Sequence, residues 1–125
     1  DLCGSLSVIG DLYKTESFEL CRYINRDKEI IPWHTINKPP SAELRPDQKD
    51  TDSLPDYPVL DAILYQHIEL SKSAEDIIAQ GYDEAVVNKV LRMVYRNDFK
   101  RFQIAPVLAI SPKPFAMREM PIVKK

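Results

Sequence analysis

Three cations, Arg92, Arg96 and Lys100, stand at four-residue steps in "LRMVYRNDFKRFQ". On a helix that spacing puts them on one face, and a row of fixed positive charge suits a phosphate or a carboxylate. The other residue types with chemical potential lack the neighbours that chemistry needs. Cys3 and Cys21 are the only cysteines, and neither has a His or Cys at metal-ligand spacing. His34 falls in a loop and His67 on or beside an apolar face, each without an evident partner, so both read as structural. What remains is residues 38–58, "KPPSAELRPDQKDTDSLPDYP", with five prolines, five acids and three bases. Neither helical nor strand periodicity survives there, and so long a loop inside a compact domain is usually functional or disordered.

A small body has to carry these side chains. At 125 residues the chain is long enough for one domain with a core and too short for two. An apolar content of 44% and a charged content of 29% belong to the soluble, folded class. The net charge of −2 hides an asymmetry, because residues 1–81 carry eight bases against fifteen acids and residues 82–125 carry nine against four. A basic final third fits an anionic ligand, and equally fits docking onto the acidic part of the same chain. Two unpatterned cysteines point to inert thiols in a reducing cytosol, so a cytoplasmic location is expected. No apolar run approaches the roughly 18–20 residues of a membrane span, and a membrane partner is not expected. The opening "DLCGSLSVIGD" has no Met and no capping signal, which leads to the expectation of a fragment of something longer.

Periodicity then places the elements. Phe18, Cys21 and Ile24 recur at three-residue steps and predict a helix from about Asp11 to Arg26. "IIPWHTIN" reads as a connector, since Pro32 forbids continuation. Leu60, Ile63, Leu64, His67 and Ile68 mark an amphipathic helix after Pro58. Ser73 with Asp76 resembles a capping box, Gly81 fits a helix stop, and Asp83 is placed to cap a last helix with Val86, Val87, Val90, Leu91 and Val94 on one face and Arg92, Arg96 and Lys100 on the other. The tail from about 104 to 125 reads as an extended strap with at most a short strand. Three or four helices, a long loop and a strap are expected, with no internal repeat.

The loop and its flanks carry a resemblance. "KPPSAELRPDQKDTDSLPDYPVLDAIL" closely resembles the corresponding stretch of the glutamine-dependent NAD synthetases. "DLCGSLSVIGDLYKT" is similar to that family's segment between its Tyr-Gly-Asp turn and its phosphate-binding lysine, "FKRFQIAP" to its Lys-Arg-Arg-Gln-x-x-Pro element, and "MPIV" to its usual end. The resemblance runs in order over essentially the whole chain. It implies a mainly α fragment, the C-terminal portion of an α/β adenine-nucleotide synthetase domain of the ATP pyrophosphatase, Rossmann-like group. The nucleotide-binding part that precedes it and the amidase domain would lie outside this chain. In such enzymes ATP adenylates the nicotinate carboxylate of deamido-NAD, releasing pyrophosphate, and ammonia then displaces AMP. Ammonia would come from glutamine on the amidase domain, and the whole would be a homo-oligomer.

The resemblance also assigns residues. Lys14 becomes the lysine that contacts the ATP phosphates, and Ser41 a loop hydroxyl for an ATP phosphate or its Mg²⁺. Lys100 becomes the lysine that holds deamido-NAD, with Arg96 and Arg101 completing a positive end. Asp1 would position or deprotonate ammonia. Ser5 stands where ammonia-dependent relatives carry an acid that contacts deamido-NAD, and Phe99 where a His or Tyr is usual, so stacking remains at Phe99 and the hydrogen bond does not. The loop, about 37–58, would be a lid that orders over ATP and keeps water from the adenylate; alone it is expected to be poorly ordered. The Ser-Gly-Gly-x-Asp-Ser pyrophosphate loop and the main Mg²⁺ ligands are absent from the sequence, so the piece by itself is expected to be inactive, and no prosthetic group is implied. The alternative is a helical interaction or nucleic-acid-binding module using Arg92, Arg96 and Lys100. The acidic first two-thirds and the lack of interleaved aromatics count against nucleic acid.

Overall fold

The computed structural model describes residues 4–113. They form five α-helices: α1 (Lys14–Ile24), α2 (Trp33–Asn37), α3 (Tyr57–Ile68), α4 (Ala74–Ile78) and α5 (Glu84–Arg96). Two 3₁₀ turns, Asp50–Asp52 and Asp98–Phe102, complete the regular structure. Among the described residues there is no strand, and one isolated parallel bridge pairs Ser7 with Val107. The mainly α reading therefore holds, and the strap contributes a single bridge. The closing "MPIV" lies outside the described residues. The chain divides into two compact units, one of residues 13–61 and one of residues 4–12 with 62 onward.

In the unit of residues 13–61, α1 begins at Lys14 rather than at Asp11. Residues 7–12 are spent on turns, with Gly10 N–H donating to Ser7 and Leu12 N–H to Ile9. Glu16 reaches back to accept the Tyr13 N–H at 2.8 Å, half of a capping box. Buried Asn25 closes the other end. Its Oδ1 accepts from the N–H groups of Ile30 and Ile31, and its Nδ2 donates to the Ile31 carbonyl. The expected connector after Pro32 is in fact α2. Pro32 ends nothing here, because it occupies the position before the first turn, where its fixed φ of −54° prepares the helix and its missing N–H costs no bond. Glu29 accepts the Trp33 N–H at 3.1 Å, and Ile36 is buried.

The second unit follows its local signals closely. Ser73 Oγ accepts from Asp76 N–H while the Asp76 carboxylate accepts from Ser73 N–H, the reciprocal box that starts α4. Gly81 adopts φ +96°, a conformation glycine enters without steric cost, and so releases the chain from α4. Asp83 accepts the Val86 N–H at 2.9 Å and opens α5. α4 and α5 pack together, and Ile63, Ile77, Val87, Val90 and Leu91 are buried. The strap is fastened to residues 4–12 at two places. Ser7 N–H donates to Pro106 at 2.8 Å, and one oxygen of the buried Asp11 carboxylate accepts from both Ile110 and Ser111.

Candidate functional site

Lys14 is the first residue of α1, and its side chain is exposed. Its ammonium lies 5.3 Å from the centre of the Phe18 ring, and among the described residues it makes no ion pair. The first turn carries the positive end of the helix dipole, which opposes a lysine ammonium and favours an anion beside it. The turn is fixed nonetheless. Thr15 N–H donates at 2.8 Å to the carboxylate of Asp61, which is only 7% exposed. Sequence reasoning missed Asp61, which lies 46 residues away on α3. Its one local signal was Tyr13, a cap position whose side chain makes no capping bond.

The proline-rich loop belongs to the same unit as Lys14. Where the sequence predicts little order, the loop makes bonds of its own. Asp50 N–H donates to Pro40 across its neck at 3.0 Å, Leu44 N–H donates to Gln48 Oε1 at 3.0 Å, and Lys49 N–H donates to Asp52 at 3.0 Å. Glu43 and Asp47 take φ values of +53° and +55°, which tighten the turns at a cost in backbone strain. Lys38 pairs with Glu43 and holds its carboxyl below the ordinary range, first by its hydrogen bond and then by its charge. These residues surround an open concavity of about 780 Å³ whose lining includes Lys38, Ser41, Arg45 and Lys49. Ser41 Oγ accepts the Glu43 N–H at 3.1 Å, so the hydroxyl caps a local turn and keeps its own hydrogen for an acceptor.

The base of the loop is tied to α3. Tyr57 O–H donates to Asp50 at 2.6 Å, and burial, followed by the Asp50 carboxylate, pushes the phenol well above its ordinary pKa.

The basic end in the other unit departs from expectation. Asn97 closes α5 by donating from Nδ2 to the Met93 carbonyl at 2.8 Å, and a 3₁₀ turn follows. Arg92 and Arg96 therefore share a helix that Lys100 does not, and the row of three on one helical face is broken after Arg96. Arg101 is not part of an open positive end. It pairs with Asp98, and its side chain is 10% exposed. Lys100 is exposed, as is Phe99 at 55%, and Ser5 is exposed in the turn before the bridge. Asp1 and Cys3 lie outside the described residues.

His67 has partners the sequence did not reveal. Its Nδ1 is 2.9 Å from the Lys72 carbonyl and its Nε2 3.2 Å from the Tyr95 hydroxyl. A carbonyl only accepts, so the proton sits on Nδ1 and Tyr95 donates to Nε2. Both ring nitrogens are therefore engaged within the fold, where the sequence showed no partner. His34 lies 3.4 Å from the Thr35 hydroxyl.

No three His, Cys, Asp or Glu side chains among the described residues come together as a metal site. No helix among the described residues is long and apolar enough to cross a membrane.

A family model described as NAD synthase matches residues 1–104. The glutamine-dependent NAD(+) synthetase of Acinetobacter baylyi is 53% identical over 126 residues, covering 98% of this chain and 23% of that protein. The enzymes of the same description from Synechocystis sp. and Thermotoga maritima are 46% and 42% identical, each match covering 22% of the relative. Among solved structures, a glutamine-dependent NAD+ synthetase from Acinetobacter baumannii in complex with adenosine diphosphate is 42% identical. It superposes with a TM-score of 0.54 over 90% of this chain and 19% of that one. The chain thus spans less than a quarter of the length of the curated relatives it matches.

Proposed function

The chain belongs to the NAD synthase family, and from that premise we propose that it works as part of an ATP-dependent synthetase that converts deamido-NAD to NAD. A carboxylate is a poor electrophile, since it repels nucleophiles and offers no leaving group. In the proposed reaction an oxygen of the nicotinate carboxylate attacks the α-phosphorus of ATP and pyrophosphate leaves. Ammonia then attacks the acyl carbon, AMP leaves, and the proton shed by nitrogen passes to solvent or a nearby base. Glutamine, hydrolysed on an amidase domain of the same enzyme, is the proposed ammonia source, and the cytoplasm the proposed location. Assembly into a homo-oligomer is part of the same reading, with the rest of the synthetase as the immediate partner.

Lys14 carries this reading. It is an exposed ammonium, without a carboxylate partner among the described residues, at a helix end that itself attracts anions. Here it meets the charge that builds on the phosphates as pyrophosphate departs. Ser41, held by the Glu43 N–H, donates its hydroxyl hydrogen to a phosphoryl oxygen. Lys100 binds the anionic dinucleotide, and Phe99 offers a ring for stacking. The loop covers the adenylate against water. Mg²⁺ neutralises phosphate charge in this chemistry, and its principal ligands lie among residues other than these. The surface supports membership of a larger body, since Leu6, Val8, Ile9, Phe102 and Ile110 are all exposed. No observation favours the nucleic-acid module, whose three-cation helical face is not formed.

The test is made in the full-length synthetase that contains this segment. Lys14→Gln is expected to lower kcat/KM for ATP by roughly 100-fold or more, as for loss of a preorganised charge. Lys100→Gln is expected to raise KM for deamido-NAD and to leave KM for ATP in place. Wild-type kinetics for both variants would overturn the proposal. The 125-residue chain alone, given ATP, Mg²⁺, deamido-NAD and ammonia, should form no NAD.

A further inference from the structure

The helix that carries Lys14 lacks a cap of its own. Tyr13 stands at the cap position with the extended backbone a cap requires, φ −67° and ψ 161°, but its side chain makes no capping bond. Glu16 supplies one half of the usual reciprocal pair by accepting the Tyr13 N–H. The other half, an acceptor for the first-turn N–H groups, arrives from α3. Asp61 takes the Thr15 N–H at 2.8 Å.

We propose that Asp61 is a positioning residue for the ATP-binding lysine, its buried carboxylate capping α1 from a distance and so fixing where Lys14 projects its ammonium. The inference rests on the role given to Lys14 above. A carboxylate only 7% exposed is stable in the charged form only where donors or positive potential meet it. The Thr15 N–H and the positive end of α1 provide both. The bond is made by the residue next to Lys14, so the first turn cannot rotate or slide without stranding a buried charge. The same carboxylate offsets the helix dipole that opposes an ammonium at this end. Asp61 also lies one helical turn beyond Tyr57, which holds the loop through Asp50. One face of α3 thus anchors both the loop base and the start of α1.

Asp61→Asn keeps the shape and removes the charge. In the full-length synthetase it is expected to raise KM for ATP roughly fivefold, the size of a lost cap, with KM for deamido-NAD unchanged. In the Lys14→Gln background the same substitution should add nothing, because the group it positions is gone. A new cap, Tyr13→Asp, should restore ATP affinity to Asp61→Asn. That rescue separates capping from general loss of packing. Full additivity of Asp61→Asn with Lys14→Gln, or failure of Tyr13→Asp to restore ATP affinity, overturns the proposal while leaving Lys14's role intact. An unaltered KM and kcat for ATP in Lys14→Gln alone overturns both.

Discussion

Tyr57 in the first turn of α3 donates its phenol hydrogen to the Asp50 carboxylate at 2.6 Å, tying the 3₁₀ turn at the end of the proline-rich loop to a helix. The loop therefore has a fixed base as well as the neck bond from Asp50 N–H to Pro40. Five prolines limit the states of the unfolded loop, and these two bonds select among those that remain. A loop anchored in this way is held at both its base and its neck.

Removing that anchor has a pH signature. The Tyr57 phenol is raised above its ordinary value of 10.0, by burial first and then by Asp50. A group whose folded pKa exceeds its unfolded one contributes stability that is complete below the unfolded value and lost as pH rises through the folded value. The wild-type chain should therefore lose stability progressively above about pH 10. Tyr57→Phe should be less stable by about 1–2 kcal/mol at pH 7 and should lack this alkaline decline. Urea melts between pH 7 and pH 11 measure both; coincident stability curves for the two proteins would show that the bond contributes nothing.

Asp11 fastens the strap by accepting two successive N–H groups, those of Ile110 at 2.9 Å and Ser111 at 2.7 Å. Asp11→Ala leaves both donors without this acceptor and should cost about 2 kcal/mol. Amide exchange at Ile110 and Ser111 should accelerate while Val90, in the buried face of α5, keeps its protection. Asp11→Asn retains an acceptor oxygen and should recover most of the loss. Equal protection in wild type and Asp11→Ala would refute the clamp.

Gly10 lies where the strap passes close. A Cβ there would sit 2.5 Å from Ser7 Oγ and 3.1 Å from Val107 Cγ2. The serine can turn away more easily than the branched valine can. Gly10→Ala should cost about 1 kcal/mol, and Val107→Ala should return part of it in the double variant. Thermal melts of the single and double variants test this, and strict additivity of the two losses would remove the steric explanation.

The caps of α4 and α5 give two further outcomes. Asp83→Ala should lower stability by about 1 kcal/mol, with a loss of helical circular dichroism assigned to α5. The Asp76 carboxyl is held below its ordinary range by the Ser73 N–H and then by the Ser73 hydroxyl. Its contribution is present above the unfolded value of 3.8 and fades as pH falls through the folded one. Asp76→Asn should flatten the acid side of the stability profile, and an unchanged acid limb would contradict this.

Several of these features were legible as sequence. Ser73, Asp76, Gly81 and Asp83 act through partners three or four residues away, and helical geometry alone fixes such distances. The loop "KPPSAELRPDQKD" was recognisable because many positions in an irregular segment agree with one family at once. Other features were not legible. Pro32 has the same identity whether it blocks a helix or begins one, and the outcome depended on Glu29 and Ile36 being available to support α2. The row Arg92, Arg96 and Lys100 looked continuous because spacing carries no information about where a helix stops, and Asn97 stopped it.

The sequence by itself determined the helical periods, their local caps and the family to which the loop belongs, all consequences of residues close along the chain. Only the tertiary structure decided that Asp61 caps the helix of Lys14 and that Asp11 holds Ile110 and Ser111. The reason is physical. A carboxylate separated by 46 or 99 residues from its donor finds it only through the path the backbone takes between them. No periodicity encodes that path.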